Sequence, residues 1–292
     1  MAFTVAHARV LVTGGASGMG RIYAERAVRE QAESVTLWDI DALALDETAS
    51  ALSGFGTVIH TRVVDVSLLD DVADAARHEL GEGRVPDVLI NNAGIVRGNG
   101  YFWTSDSRRD TEPTMRINAI APMHVTREFL PAMIEDAFRE KRILNVASAA
   151  GTLSNPRMSV YAASKWAVIG WSDSVRLELE RSGNGHVRIT TFCPSYVATG
   201  MFEGARGPLL TPVLHPDVAI DRAWQAMLAG KAFRMTPWTV TLASVLRGVL
   251  PRPLWDIVAD RVFHVYSSMD DFAGRETAVA PTERTSDDAS RA

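Results

Sequence analysis

Within "SVYAASKWAV" a tyrosine and a lysine stand four residues apart, Tyr161 and Lys165, in a stretch otherwise made of small and apolar residues. On a helix, four positions rise roughly 6 Å and bring both side chains onto one face. A phenol with a pKa of about 10 is too weakly acidic to serve as a base at neutral pH. An ammonium group beside it favours the phenolate, as an opposite charge favours any ionised form. The pair can therefore handle a proton, with Tyr161 as base or acid and Lys165 as the group that lowers its pKa. An interfacial aromatic and a solvated charge would give the same pattern, so the pair gains meaning only from the rest of the chain.

A second constellation lies near the N-terminus. The stretch "VLVTGGASGMGRIYAERA" sets Gly14, Ser17, Gly18, Met19 and Gly20 where a β-branched run gives way to a helical pattern. Glycine allows a tight turn and a close approach of backbone to a pyrophosphate, while a helix N-terminus adds N–H donors and a positive dipole end. The position between strand and helix is the context that a dinucleotide fingerprint needs. Asp39 ends the next β run, about 20 residues on, where a carboxylate can accept from the adenosine ribose hydroxyls. It would repel a 2′-phosphate, which favours NAD over NADP, although Arg21 or a loop arginine leaves NADP open. Asp41 suits the cap of the following helix, which leaves Asp39 for the ribose.

The elements that must position these residues alternate regularly. The runs "RVLVTG", "SVTLWD", "TVIHTRVVDV", "DVLINNAG", "RILNVAS" and "VRITTFC" read as strands. Helical patterns lie between them at 19–30, 42–52, 69–80, 111–138 and 159–181. Such alternation forces right-handed crossovers and a parallel sheet, so the expected fold is an α/β doubly wound parallel sheet of Rossmann type with helices on both faces. One catalytic domain is expected over residues 1–270, with a substrate loop at 196–216 and a helical C-terminal extension at 237–266. The small, polar stretch 271–292 is expected to be disordered.

Composition narrows the function classes. The chain has 292 residues, 47% of them hydrophobic and 22% charged, enough to bury a sizeable core. A net charge of −5 and the lack of a basic run argue against nucleic acid as a partner. The single cysteine, Cys193, forms no internal disulfide and reads as a small core residue, in keeping with a cytoplasmic protein. The first residues carry no charged leader followed by an apolar core, and no apolar run reaches 18 residues, so neither signal peptide nor transmembrane segment is expected. The seven histidines are scattered without metal-ligand spacing, so no metal is expected.

Taken together, "TGGASGMG" (13–20), "DV" (65–66), "NNAG" (91–94), Asn118, Ser148, Tyr161 with Lys165 and "CPSYVAT" (193–199) make the chain resemble the short-chain dehydrogenase/reductase family over residues 10–199. The resemblance implies hydride transfer between an alcohol or ketone and a nicotinamide cofactor. It implies Asn118, Ser148, Tyr161 and Lys165 as a catalytic tetrad. Ser148 would hydrogen-bond the substrate oxygen, Lys165 would also hold the nicotinamide ribose, and Asn118 could organise a water leading from Lys165 to solvent. It further implies Asp65 and Val66 beside the adenine, Asn92 and Gly94 in the cofactor cleft, and Val197 and Thr199 near the nicotinamide carboxamide. Pro194-Ser195 departs from the family's Pro-Gly. The family commonly forms homodimers or homotetramers. An epimerase or dehydratase on the same scaffold, or a non-catalytic dinucleotide sensor, are the alternatives; the intact tetrad speaks against a sensor.

Open α/β sheets bind ligands at the C-terminal ends of their strands. The loops there offer Trp103, Leu153, Met158, Tyr196, Met201, Phe202 and Leu209, which suits a bulky, hydrophobic alcohol or ketone unless Arg97, Arg157 or Arg206 reaches the pocket. Downstream, Trp238, Leu242, Val245, Leu246 and Val249 have the spacing of an amphipathic helix, which Pro251 and Pro253 end. This extension is similar in composition to that of family members acting on steroids or retinoids. It could close the pocket or pack on the core, make a subunit contact, or lie on a membrane surface as a peripheral contact.

Overall fold

The computed structural model describes residues 3–202, 207, 208, 211–270 and 272. The stretch 271–292 therefore lies, apart from residue 272, outside the described residues, as do Arg206 and Leu209. Seven strands form one sheet: β1 (Arg9–Thr13), β2 (Ser34–Asp39), β3 (Val58–Val63), β4 (Val88–Asn91), β5 (Lys141–Val146), β6 (Val187–Pro194) and β7 (Phe233–Thr236). Their order is β3-β2-β1-β4-β5-β6-β7 and every pairing is parallel. β4 and β5 are buried along their whole length, as central strands covered on both faces are, and the buried Lys141 of β5 is paired with Asp87 at 2.7 Å.

The crossovers are α1 (Gly18–Arg29), α2 (Ala42–Leu52), α3 (Leu69–Gly81), then α4 (Glu112–Met115) joined to α5 (Ala121–Glu135) by a π-helical turn at Arg116–Ile120, α6 (Ser159–Arg181) and α7 (Pro216–Leu228). On one face Tyr23 and Ala27 of α1, Leu45 of α2 and Trp224 of α7 pack with Val12, Leu37 and Ile90. On the other, Val72 of α3, Phe129 and Met133 of α5 and Leu179 of α6 pack with Leu11, Leu89 and Ile143. The Tyr23 and Trp224 rings lie 6.3 Å apart, and Trp38 meets Phe129 at 5.6 Å. Strand order reverses between β1 and β4, so a crevice opens at their C-terminal ends, where β1 runs into the glycine turn.

Two further helices, α8 (Trp238–Val249) and α9 (Arg252–Ile257), follow β7. The expected apolar stripe on α8 is not the buried one: Thr239, Val240 and Ala243 are buried, whereas Trp238, Val245 and Val249 are exposed, Val249 at 75%. The reason is that α8 meets the body of the protein through small residues that allow close approach. Leu246 packs at the edge of a separate cluster formed by Leu153, Ala243, Trp255, Ala259 and Val265.

Candidate active site

The glycine turn is shaped by its lack of side chains. Gly14 has a φ of +62°, and a Cβ there would come within 2.9 Å of the Ala93 Cα. A Cβ on Gly20 would stand 1.9 Å from the Gly14 carbonyl oxygen, so α1 can start this close to β1 only with glycine at that position. Ser17 is the N-cap of α1 but its side chain makes no capping hydrogen bond, and the first turn contains no acidic residue. Its amide donors are thus left for an anion. A Cβ direction at Gly18 is open except for Thr199 at 3.9 Å, and Met19 packs on the core beneath. The turn fits a pyrophosphate.

Asp39 sits at the edge of this turn and is more engaged than the sequence suggests. Its Oδ2 accepts from the Ala16 N–H at 3.0 Å, and its Oδ1 accepts from Ile40 and Asp41 at 2.8 and 3.2 Å. A carboxylate has about four lone-pair sites, so these bonds aim the group while leaving acceptor capacity for a ribose. Asp41 caps α2 by accepting from Ala44 at 3.0 Å, as its position suggests. Asn92 donates to the Thr13 and Gly14 carbonyls, both at 3.1 Å, and so braces the turn from β4. Asp65 accepts from Ser67 at 2.9 Å, and Val66 lies with Thr13, Ala93 and Ile117 around a small gap beside β1. Val197 is buried and bridges to Leu214, which holds the loop after β6.

The four tetrad positions come together past the ends of β4 and β5. Asn118 lies in the π-helical turn and pairs with the Ile95 backbone, accepting from its N–H and donating to its carbonyl, both at 2.8 Å. It also donates to Ser164 Oγ at 3.2 Å, and Ser164 donates to the Tyr161 carbonyl at 2.7 Å. Asn118 therefore locks the end of β4 to α6. Both of its N–H groups are spent on protein, while its oxygen, with one bond from Ile95, keeps a second lone pair. A Cβ on Gly94 would lie 3.3 Å from Asn118 Oδ1 and 3.7 Å from Lys165 Nζ, which puts the bare backbone of "NNAG" against both.

Tyr161 and Lys165 are each 5% exposed and Ser148 is 8% exposed. Ser148 follows β5 by two residues, accepts from the Ala150 N–H at 3.2 Å and lies near the Tyr161 hydroxyl, both residues lining the same cavity. Lys165 Nζ donates to the Val146 carbonyl at 2.9 Å and lies 5.8 Å from the centre of the Tyr161 ring. The electrostatics differ from the expectation of a lysine-depressed phenol. Burial raises the Tyr161 phenol above its ordinary value, and the nearby Ser148 hydroxyl pulls the other way. Burial also lowers Lys165, to about 8. In the protein alone, desolvation outweighs attraction between the pair because both groups lose water and Lys165 points to Val146. Cys193 is a core residue, its thiol pushed up to about 12 by burial.

Above Tyr161 is a cavity of about 680 Å³, part of it open to solvent. Ser148 and Tyr161 form one wall; Leu153, Met158, Tyr196 and Phe202 line it as the sequence suggests. The Tyr161 and Tyr196 rings contact Phe202 at 6.0 and 5.4 Å. Trp103 is not part of it: the ring is 79% exposed and stacks on Tyr101 at 4.8 Å, and Tyr101 lies under the Arg157 guanidinium at 5.3 Å. Met201 does not line the cavity either. Arg97 donates to the Arg109 carbonyl at 3.2 Å and Arg157 to the Asp270 carbonyl at 3.3 Å, so neither enters. Thr239, Val240 and Ala243 of α8, with Phe263 and Val265 beyond α9, close the far side. Small and β-branched residues and a single phenylalanine carry no functional signal, so sequence reasoning assigns them no site.

This geometry has counterparts among known proteins. The family model for short chain dehydrogenase matches residues 8–208. Estradiol 17-beta-dehydrogenase 11 of Pongo abelii is 34% identical over 242 residues, covering 83% of this chain and 79% of that protein. Epidermal retinol dehydrogenase 2 of Mus musculus is 33% identical over 264 residues, covering 88% and 83%. The crystal structure of a short chain dehydrogenase/reductase from Burkholderia phymatum in complex with NAD superposes with a TM-score of 0.75 at 26% identity, over 84% of this chain and 94% of that one. A metagenomic short-chain oxidoreductase in complex with NADP gives 0.66 at 25% identity, over 80% and 96%. With its parallel sheet, glycine turn and converging Asn, Ser, Tyr and Lys, the chain belongs to the short-chain dehydrogenase family of oxidoreductases.

Proposed function

We propose that this protein oxidises a bulky, hydrophobic secondary alcohol, or reduces the corresponding ketone, with a nicotinamide cofactor, NAD in preference to NADP. The observation that carries the reading is Tyr161 and Ser148 in the wall of an apolar cavity, with Lys165 on the next turn of the same helix as Tyr161. The relatives named for estradiol and retinol, both lipophilic alcohols, support the substrate class. Solved relatives hold NAD in one case and NADP in another, so the NAD preference rests on the Asp39 carboxylate. A homo-oligomer working in the cytoplasm, with residues 1–270 as its catalytic unit, is the setting we propose.

When bound, the nicotinamide accepts or supplies the hydride. The remaining steps belong to the chain. Ser148 Oγ would orient the substrate oxygen and stabilise charge developing on it. Tyr161 Oη would take the alcohol proton in oxidation and return it in reduction. Lys165 uses one N–H on Val146 and faces Gly94, which leaves N–H groups for ribose hydroxyls. Asn118 would act as a positioning residue through Ile95 and Ser164. The uncapped start of α1 would bind pyrophosphate, and the walls of the cavity would exclude water. Following reduced-nicotinamide absorbance with NAD and NADP against a panel of bulky alcohols tests this. Turnover favouring NAD, with Asp39→Ala raising the relative efficiency of NADP, is the expected result; an unchanged cofactor ratio would remove Asp39 from the account.

A further inference from the structure

Beyond α9 the chain turns at His264, where φ is +53°, and residues 265–270 then lie against the loops that build the cavity. Met269 is fully buried in a cluster with Met158 and Tyr161, flanked by Ala150, Tyr196 and Phe202. All of those neighbours line the cavity and Met269 does not, so it packs on the outer side of the wall that carries Tyr161. The strap is pinned along its length. Ser268 accepts from Asn155 Nδ2 at 3.0 Å and pairs with the Tyr196 hydroxyl at 2.9 Å. Phe272 meets the Phe202 ring at 6.3 Å, and its carbonyl accepts from Asn99 at 3.4 Å. Between them Asp270 is held by Arg157, whose guanidinium lies 3.6 Å from the carboxylate, donates to the carbonyl at 3.3 Å and covers Tyr101 at 5.3 Å. Arg157 thus ties the strap to the loop after β4 as well as to its own. Its backbone stands at φ +64°, in the left-handed region that arginine seldom adopts. Such a conformation persists only where the surroundings offset its cost, which marks a position held for what its side chain reaches.

We propose that Arg157 is a positioning residue that latches the C-terminal strap against the cavity wall, so that bulky substrates enter and leave through opening of its contact with Asp270. The inference rests on the cavity being the alcohol or ketone site and deepens that reading by assigning its gate. The anchors differ in strength. Ser268 is 2% exposed and bonded to two side chains, so the strap stays fixed there. The side chains of Arg157 and Asp270 are 31% and 53% exposed, and an ion pair so open to water is weak. Met269, Asp270 and Phe272 are therefore the part that swings. With the latch closed, Met269 backs Tyr161 and Met158, and Phe272 backs Phe202. With it open, those walls lose their backing and yield to a large apolar skeleton.

Thiol labelling tests this without any need for turnover. Met269→Cys puts a thiol where the strap meets Tyr161, and the natural Cys193 is buried in the core, so the iodoacetamide rate reports opening at one position. In this background Arg157→Gly, which suits the left-handed backbone, should speed labelling about five- to tenfold. Arg157→Lys, which keeps the charge, should restore part of the slow rate. Added salt should speed labelling while Arg157 is present and leave the glycine variant unchanged, a response that a merely structural side chain would not give. 1-Tetralone or benzophenone, added with NAD, should slow labelling by holding the strap shut. If Met269→Cys does not fold, hydrogen exchange of the strap amides in the natural chain and in Arg157→Gly makes the same comparisons. Opening indifferent to the loss of Arg157 and to salt would overturn the proposal, as would opening that neither ketone affects. Latch behaviour and protection by a ketone, without turnover of any alcohol, would leave Arg157 in its role and count against the oxidoreductase reading instead.

Discussion

Replacing Tyr161 with phenylalanine removes one oxygen, and if that oxygen carries the proton the loss should be on the order of 10²–10⁴-fold in turnover with cofactor binding retained. Cofactor binding is read separately, by fluorescence titration. Oxidation needs the phenolate and reduction needs the phenol. Because burial raises Tyr161, alcohol oxidation should increase from neutral into alkaline pH while ketone reduction falls at the alkaline end. Rate profiles in both directions check the sign. Lys165 titrates near 8 in the folded chain, below the ordinary lysine value of 10.5, so the unfolded chain binds the extra proton between those values. Stability attributable to Lys165 therefore rises with pH through that window, and the urea midpoint of the native protein should gain on that of Lys165→Met. At this scale the Tyr–Lys spacing and Asp39 were legible because each depends on local position. The raised phenol and the outward turn of Trp103 were not, because burial and stacking on Tyr101 are set by parts of the chain far from Tyr161 and by a loop without periodicity.

The turn from β1 to α1 is as tight as glycine permits. Gly20→Ala would drive a Cβ into the Gly14 carbonyl, so it should abolish dinucleotide binding and lower the melting temperature; calorimetry on the variant measures both. Asn118→Ala leaves the Ile95 N–H and carbonyl without their partner, a cost of about 1–3 kcal/mol, and loosens β4 against α6. Its turnover should fall while its affinity for cofactor changes less. Strand and helix alternation from β1 to β6 was readable because β-branched runs and helical periods differ clearly, and the bounds of α2 and α6 coincide with the expectation. The π-helical turn was not, since Asn118 meets its Ile95 partner only in the folded chain. Helix α7 and strand β7 lie outside the alternation read from sequence; β7 is four residues long and includes Arg234 and Thr236, too short for a period to declare itself. On α8 the apolar period named a stripe that faces outward, because small residues made the closer contact.

At the scale of the whole molecule, the sheet brings the glycine turn, Asp39 and the tetrad to one edge, and α8 with the segment beyond α9 walls off part of that edge as a cavity. Widening residues on α8 should act on substrate alone: Ala243→Trp would fill the cavity, raise KM for bulky alcohols and leave the affinity for NAD unchanged. Sequence spacing announces the shared edge, since the glycine turn, Asp39, "NNAG" and Ser148 all fall at or just past strand ends. It announces one side of the cavity, through Leu153, Met158, Tyr196 and Phe202, but not the side built by α8, Phe263 and Val265, which lies far along the chain from every motif. The most direct measurement is the appearance of reduced nicotinamide when the protein, NAD and a series of bulky secondary alcohols are mixed, run beside Tyr161→Phe. The account predicts turnover that the variant loses while still binding NAD; tight NAD binding with no turnover across the series, or equal rates in the variant, would contradict it.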